Sequence, residues 1–174
     1  MFINPKVAID EGWVTGITNE KQIQPNAIDF TLDTVYSINV SNTFIISEEY
    51  RQMRGGSAIP PVSLPSGPTR FFWDFQPNSI YDCLSSMHVT VPEGVAALLV
   101  ARSTFVRNGL FIASGLYDSG FKGHVGFVLH NRGGTARVFT GTRVGQVVFV
   151  QADTAHMYAG GYSHDAGTVA PHQV

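Results

Sequence analysis

The chain has 174 residues, 44% of them hydrophobic and 14% charged, with a net charge of −2. That length favours one domain with a substantial core. The charge balance excludes a global basic field for a nucleic-acid backbone, so any anion site is local and no direct nucleic-acid binding is expected. The single Cys83 excludes an internal disulfide and a multi-cysteine zinc site, and it suits a reducing compartment. The opening MFINPKVAIDEGW lacks a basic segment ahead of a long apolar run, so no signal peptide is expected. No apolar run reaches about 18 residues, so no membrane span is expected either. The expected location is cytoplasmic, or the host cytoplasm for a viral chain.

Residues 4–13 predict one short helix. Asn4 caps it, Pro5 opens the first turn, and Val7, Ile9 and Trp13 are its candidate buried positions. Gly12 and Gly16 limit its length. Beyond it, helix signals are scarce. Short β-branched and aromatic runs recur at 28–32, 35–39, 43–46, 70–75, 79–83, 87–91, 95–101, 110–113, 124–130, 136–140 and 144–151. Val89 to Val95 reads as strand, Pro-x-Gly turn, strand. Many short strands with frequent turns predict an all-β barrel or sandwich. Residues 51–69, rich in Gly, Pro and Ser, read as an irregular excursion within one domain of residues 1–157. The Gly-rich tail, 158–174, reads as a frayed terminus or as a flexible lid over a ligand.

Chemistry concentrates in the later half. Asp118 lies in Gly115-Leu116-Tyr117-Asp118-Ser119-Gly120-Phe121-Lys122-Gly123, a turn between two apolar runs. A carboxylate there can hold and activate a water, and the aromatic Phe121 can stack on a flat substrate. Upstream stand Arg102, Ser103 and Thr104, a cation and two hydroxyls suited to phosphate; downstream stands Gln146. Anion-binding groups flanking an acid point to hydrolysis of a phosphorylated compound. Each residue also has a plain structural alternative: Asp118 in an Asx-turn, Arg102 and Ser103 closing a strand, Gln146 as a solvated strand residue, Asp29 bracing a turn or interface.

Five pieces in order resemble the superfamily of deoxyuridine triphosphatases (dUTPases) and deoxycytidine triphosphate (dCTP) deaminases. They are Gln24-Pro25-Asn26-Ala27-Ile28-Asp29-Phe30-Thr31-Leu32, Ala101-Arg102-Ser103-Thr104-Phe105, Gly115 to Gly123, Gly141-Thr142-Arg143-Val144-Gly145-Gln146, and the Gly-rich tail. The opening helix and Arg102 to Leu110 are similar to the deaminase branch. That branch carries a glutamate on the strand after the third motif, and Val128 stands in its place. No Asp or Glu occurs between Gly120 and Asn131, although His124 and His130 share the strand parity of Val128. A positioned acid or base is worth roughly 10²–10⁴-fold, which a valine cannot supply.

The resemblance therefore implies hydrolysis of dUTP to dUMP and pyrophosphate, with Asp118 activating the water. It implies a distorted jelly-roll-like β-barrel with one short N-terminal helix, assembled as a homotrimer. Arg102, Ser103, Thr104, Arg107 and Gln146 would hold the phosphates, Phe121 would lie under the deoxyribose, and Ala113, Ser114 and Gly115 would meet the base. Magnesium would be held by the triphosphate and by water, with no protein metal ligand assigned. Tyr117 fills a usually aliphatic position, and Gly120 replaces an acid common in dUTPases. The alternatives are a dCTP deaminase, a bifunctional deaminase-diphosphatase, and a nucleotide-binding regulatory module without turnover. A modified pyrimidine base is also open.

Overall fold

The computed structural model describes residues 1–65 and 69–160. Within them strand is the dominant regular structure, as the turn-punctuated apolar runs predict. In order come α1 (Pro5–Asp10), β1 (Val14–Thr15), a 3-10 turn (Glu20–Gln22), β2 (Ile28–Thr31), β3 (Thr34–Ser37), β4 (Ile45–Ile46), β5 (Arg51–Gln52), β6 (Val62–Ser63) and β7 (Phe71–Phe75). Then follow β8 (Ser79–Thr90), β9 (Val95–Ala101), α2 (Ser103–Arg107), β10 (Leu110–Ala113), β11 (Lys122–Asn131), β12 (Ala136–Phe139) and β13 (Arg143–Gln151).

Three antiparallel sheets share one core. The largest runs β1-β8-β11-β10, with β3 also paired to β8. The others run β12-β7-β6 and β2-β13-β9, while β4 and β5 pair only with each other among the described strands. Along β11 burial alternates strictly from Gly123 to Asn131, the signature of one face on the core and one away from it. Phe30 and Phe127 meet at 5.0 Å between ring centroids and join the first and third of these sheets. Gly145 on β13 is obligatory beneath them, since a Cβ there would lie 2.3 Å from the Phe30 ring.

Several expectations need correction. The first helix is shorter than 4–13, and it buries Ala8 completely while Val7 is 41% exposed. Asn4 does cap it, accepting from the Lys6 amide at 3.0 Å. The runs 79–83 and 87–91 are one twelve-residue strand. The 51–69 excursion contains two short strands, one of which pairs Val62 with Phe72. The segment 103–107 is a helix, not a strand end; Asn108 and Gly109 stop it, with Gly109 at φ +79. Of the Gly-rich tail, residues 161–174 lie outside the described residues, so the lid expectation falls there.

Candidate active site

The first cluster forms around Asp29. Its side chain is only 1% exposed, a position a carboxylate tolerates when cations and donors surround it. Arg143 Nη1 donates to Oδ2 at 3.0 Å, and Gln146 Nε2 donates to Oδ1 at 2.9 Å. Arg102 Nε lies 3.6 Å from Oδ2, and Arg102 Nη1 donates to the Arg143 carbonyl at 3.1 Å. The sheet creates this meeting. Asp29 on β2 pairs with Gln146 on β13, which pairs with Val100 on β9, so all three side chains share a face.

The approach to β2 is fixed by the wholly buried Gln22. Its Oε1 accepts from the Thr18 and Asn19 amides at 2.9 and 3.0 Å, and its Nε2 donates to the Asp29 carbonyl at 3.0 Å. The guanidinium groups are not consumed by Asp29. Their side chains remain 31% and 30% exposed, and each carries five N–H donors. The cluster therefore presents two partly exposed guanidinium groups held in place from behind, an arrangement able to receive an anion. Ser103, Thr104 and Arg107 follow on α2, exposed beside it.

Asp118 occupies a second place. It is exposed, on a turn closed by the Phe121 amide donating to the Asp118 carbonyl at 3.0 Å. Gly120 sits at φ +94, a conformation side chains rarely adopt, which explains its presence where an acid was the alternative. The turn is anchored on both sides. The Ser119 hydroxyl bonds the Val95 carbonyl at 2.5 Å and Thr154 at 2.6 Å, and the Gly120 amide bonds the Val91 carbonyl at 2.7 Å. Tyr117 bridges Ala97 on β9 through paired main-chain bonds. Its hydroxyl donates to the Gly126 carbonyl at 2.6 Å and accepts from the Gly126 amide at 2.9 Å.

The two places do not meet within one chain. Tyr117 binds β9 at Ala97, whereas Arg102 follows the far end of the strand, a span of roughly 16 Å in extended chain. Phe121 is not open for stacking. It is 7% exposed, with its ring 4.8 Å from Tyr117 and 5.9 Å from Tyr158 between centroids. It packs the Asp118 turn onto the core. Ala113, Ser114 and Gly115 are exposed at the end of β10. Val128 lies mid-β11 on the face away from the core, with His124 and His130 on the same parity. Asp29 and Arg143 are the residues the sequence reading left out of the site. The arginine inside Gly141 to Gln146 was the available signal, but its partner is 114 positions away.

A family model described as dCTP deaminase-like matches residues 6–152. The probable deoxyuridine 5'-triphosphate nucleotidohydrolase of Methanosarcina barkeri is 30% identical over 154 residues, covering 84% of this chain and 83% of that protein. Its namesake in Methanopyrus kandleri is 27% identical over 150 residues, covering 83% and 89%. Among solved structures, the 2'-deoxycytidine 5'-triphosphate deaminase of Agrobacterium tumefaciens superposes with a TM-score of 0.65 at 12% identity, covering 87% of this chain. This chain spans 48% of that one, and the likeness is one of fold.

Proposed function

The chain belongs to the dCTP deaminase-like family, and we propose that within it this protein is a dUTP hydrolase: dUTP and water give dUMP and pyrophosphate. The observation that carries the proposal is Asp118, an exposed carboxylate on a turn fixed at three points, while the strand that follows offers Val128 where deamination needs an acid. The relatives named as deoxyuridine triphosphate nucleotidohydrolases support the same choice.

In this mechanism Asp118 takes a proton from a water whose oxygen attacks the α-phosphorus. The bond from that phosphorus to the bridging oxygen breaks, and pyrophosphate leaves. Arg102, Arg143 and Gln146 receive the phosphate chain, with Ser103 and Thr104 adding hydroxyl donors and Arg107 a further cation. Asp29 holds the arginines in their receiving geometry, so little order is lost when substrate arrives. Ala113, Ser114 and Gly115 meet the base. Phe121 contributes through the turn it braces.

Among the described residues no group of three or more His, Cys, Asp and Glu is arranged to hold a metal ion. The anion receptor is cationic, which fits magnesium arriving as a companion of the triphosphate, with phosphate and water oxygens as its ligands. Bound there, the ion would neutralise charge on the phosphate chain and the departing pyrophosphate.

The separation of Asp118 from the arginines supports a site built between copies of the chain. Beside the Asp29 cluster, the outer face of β2-β13-β9 carries exposed apolar side chains: Leu98 is 41% exposed, Val100 48% and Phe2 66%. Val100 lies directly beside Gln146. A second copy closing over this face buries those side chains and brings its own Asp118 turn to the first copy's arginines. The proposed assembly is a homotrimer.

The test is turnover of a panel of deoxynucleoside triphosphates with magnesium, with pyrophosphate and ammonia assayed separately. The proposal expects pyrophosphate from dUTP and no ammonia from dCTP. Ammonia from dCTP would instead mark a deaminase with a displaced acid.

A further inference from the structure

The segment that follows β13 folds back onto the turn that carries Asp118. Its start is tied to the turn between β8 and β9, where the Ala152 amide donates to the Gly94 carbonyl at 2.9 Å. Residues 154–158 then meet, one by one, Ser119, Gly120 and Phe121, the residues directly after Asp118. Thr154 lies 2.6 Å from the Ser119 hydroxyl, and the Tyr158 amide donates to the Ser119 carbonyl at 2.7 Å. The segment packs so closely on Gly120 that a Cβ there would lie 3.0 Å from the Tyr158 nitrogen and 3.2 Å from the Met157 side chain. The Tyr158 ring stands edge-on to Phe121, with 5.9 Å between centroids. On the other side of Asp118, Tyr117 is held by β9 and β11 instead.

The two hydroxyls belong to a chain of hydrogen bonds whose direction chemistry fixes. A main-chain carbonyl only accepts, and a main-chain amide only donates. The Val95 carbonyl, 2.5 Å from the Ser119 hydroxyl, therefore takes the one hydroxyl proton that serine has. Ser119 must then accept from Thr154, and the Thr154 oxygen accepts from the Gly94 amide at 3.1 Å. The chain runs from the Gly94 N–H through Thr154 and Ser119 to the Val95 carbonyl. Ser119 is 4% exposed, so a lost member leaves its neighbours unsatisfied.

We propose that Thr154 is a positioning residue for Asp118: its hydroxyl, together with the Tyr158 amide, holds Ser119 at both of its oxygens and so aims the neighbouring carboxylate. Asp118 is exposed, and its carboxylate takes its direction from the main chain on either side. One side is fixed by Tyr117 on the sheets, the other by Ser119 on the segment after β13. A small misplacement of a reacting group is costly in rate. The arginines that receive phosphate lie at the far end of β9, so the cost falls on kcat rather than on KM. This inference rests on the hydrolase proposal for the role of Asp118.

The experiment compares the wild type with Thr154→Val, which keeps the shape and removes the hydroxyl, and with Thr154→Ser, which keeps the hydroxyl. Steady-state kinetics on dUTP are read beside hydrogen exchange of the stretch 115–123, once thermal melts confirm folding. For valine the expected result is a kcat roughly ten- to hundredfold lower with KM little changed, and faster exchange at the Gly120 and Phe121 amides. Serine is expected to behave as the wild type. Should the valine variant not fold, Tyr158→Leu, which strips the ring from Phe121 and leaves the amide, takes its place with the same expectation. A folded variant with the wild-type kcat overturns the proposal whatever its exchange, because the turn then aims the acid unaided. A rise in KM at constant kcat overturns it too, since the segment would then serve binding. Exchange separates this inference from the hydrolase proposal. If the wild type hydrolyses no nucleotide, faster exchange in Thr154→Val alone supports the hold of the segment on the Asp118 turn, and equal exchange in all three proteins refutes it.

Discussion

A carboxylate with 1% of its side chain exposed persists in this protein because two guanidinium groups and an amide converge on it. Replacing Asp29 by Ala leaves Arg102 and Arg143 without their shared carboxylate and only main-chain carbonyls to hold them. The expected loss is about 2–4 kcal/mol of stability, with KM for dUTP rising more than kcat falls. An unchanged melting temperature would mean that the arginines hold themselves. Tyr117 gives a second test. Burial pushes its phenol up from 10.0 to about 12. The folded state thus holds that proton more tightly than the unfolded state does. The stability this contributes is complete below pH 10 and is lost as pH rises towards 12. Cys83, also pushed up by burial, adds to the same loss. Tyr117→Phe is expected to cost about 1–2 kcal/mol at neutral pH, by orphaning the Gly126 carbonyl and amide, and to flatten the alkaline decline. Denaturant melts from pH 7 to 11 check both; a decline as steep as in the wild type would contradict this account. At this scale Asp118, Arg102 and Gln146 were legible as candidates, because each sits in a compact run of chemistry-bearing residues. The link from Arg143 to Asp29 was not, since pairing between β2 and β13 creates it and no local pattern marks it.

Element boundaries follow the same logic. The strands read best where turn residues punctuate them, as at Pro92-Glu93-Gly94 between β8 and β9, with Gly94 at φ +75. They read worst where a polar pair lies inside a strand: Ser85 and Ser86 divided β8 in the sequence, yet the strand runs through them across a bulge, because β11 pairs with it on both sides, at Leu84 and at His88. Helix α2 was hidden by its β-branched Thr104 and Val106, residues of modest helix propensity that the turn at Asn108-Gly109 nevertheless closes. On β13 the requirement at Gly145 is steric. Gly145→Ala is expected to lower stability by about 1–3 kcal/mol, because the Phe30 ring must leave its place against Phe127. It should also weaken phosphate binding through the neighbouring Gln146. A variant that melts with the wild type would show that the ring has room to move.

At the scale of the whole molecule, one chain presents an acid at one end of β9 and a pair of partly exposed arginines at the other. The homotrimer proposal predicts that sedimentation equilibrium finds three chains per particle. Val100→Glu, on the apolar face beside Gln146, is expected to release monomers and abolish turnover together. Active monomers would place the complete site within one chain. All-β architecture was legible from composition and turns, whereas the distribution of site residues along β9 required the sheet order. The proposed hydrolysis turns on Asp118, and its decisive test is pyrophosphate release from dUTP by the wild type and by Asp118→Asn at equal fold content. The expected result is release by the wild type and a fall of roughly 10²–10⁴-fold in kcat for the amide, with nucleotide still bound. Turnover by Asp118→Asn at the wild-type rate would contradict it.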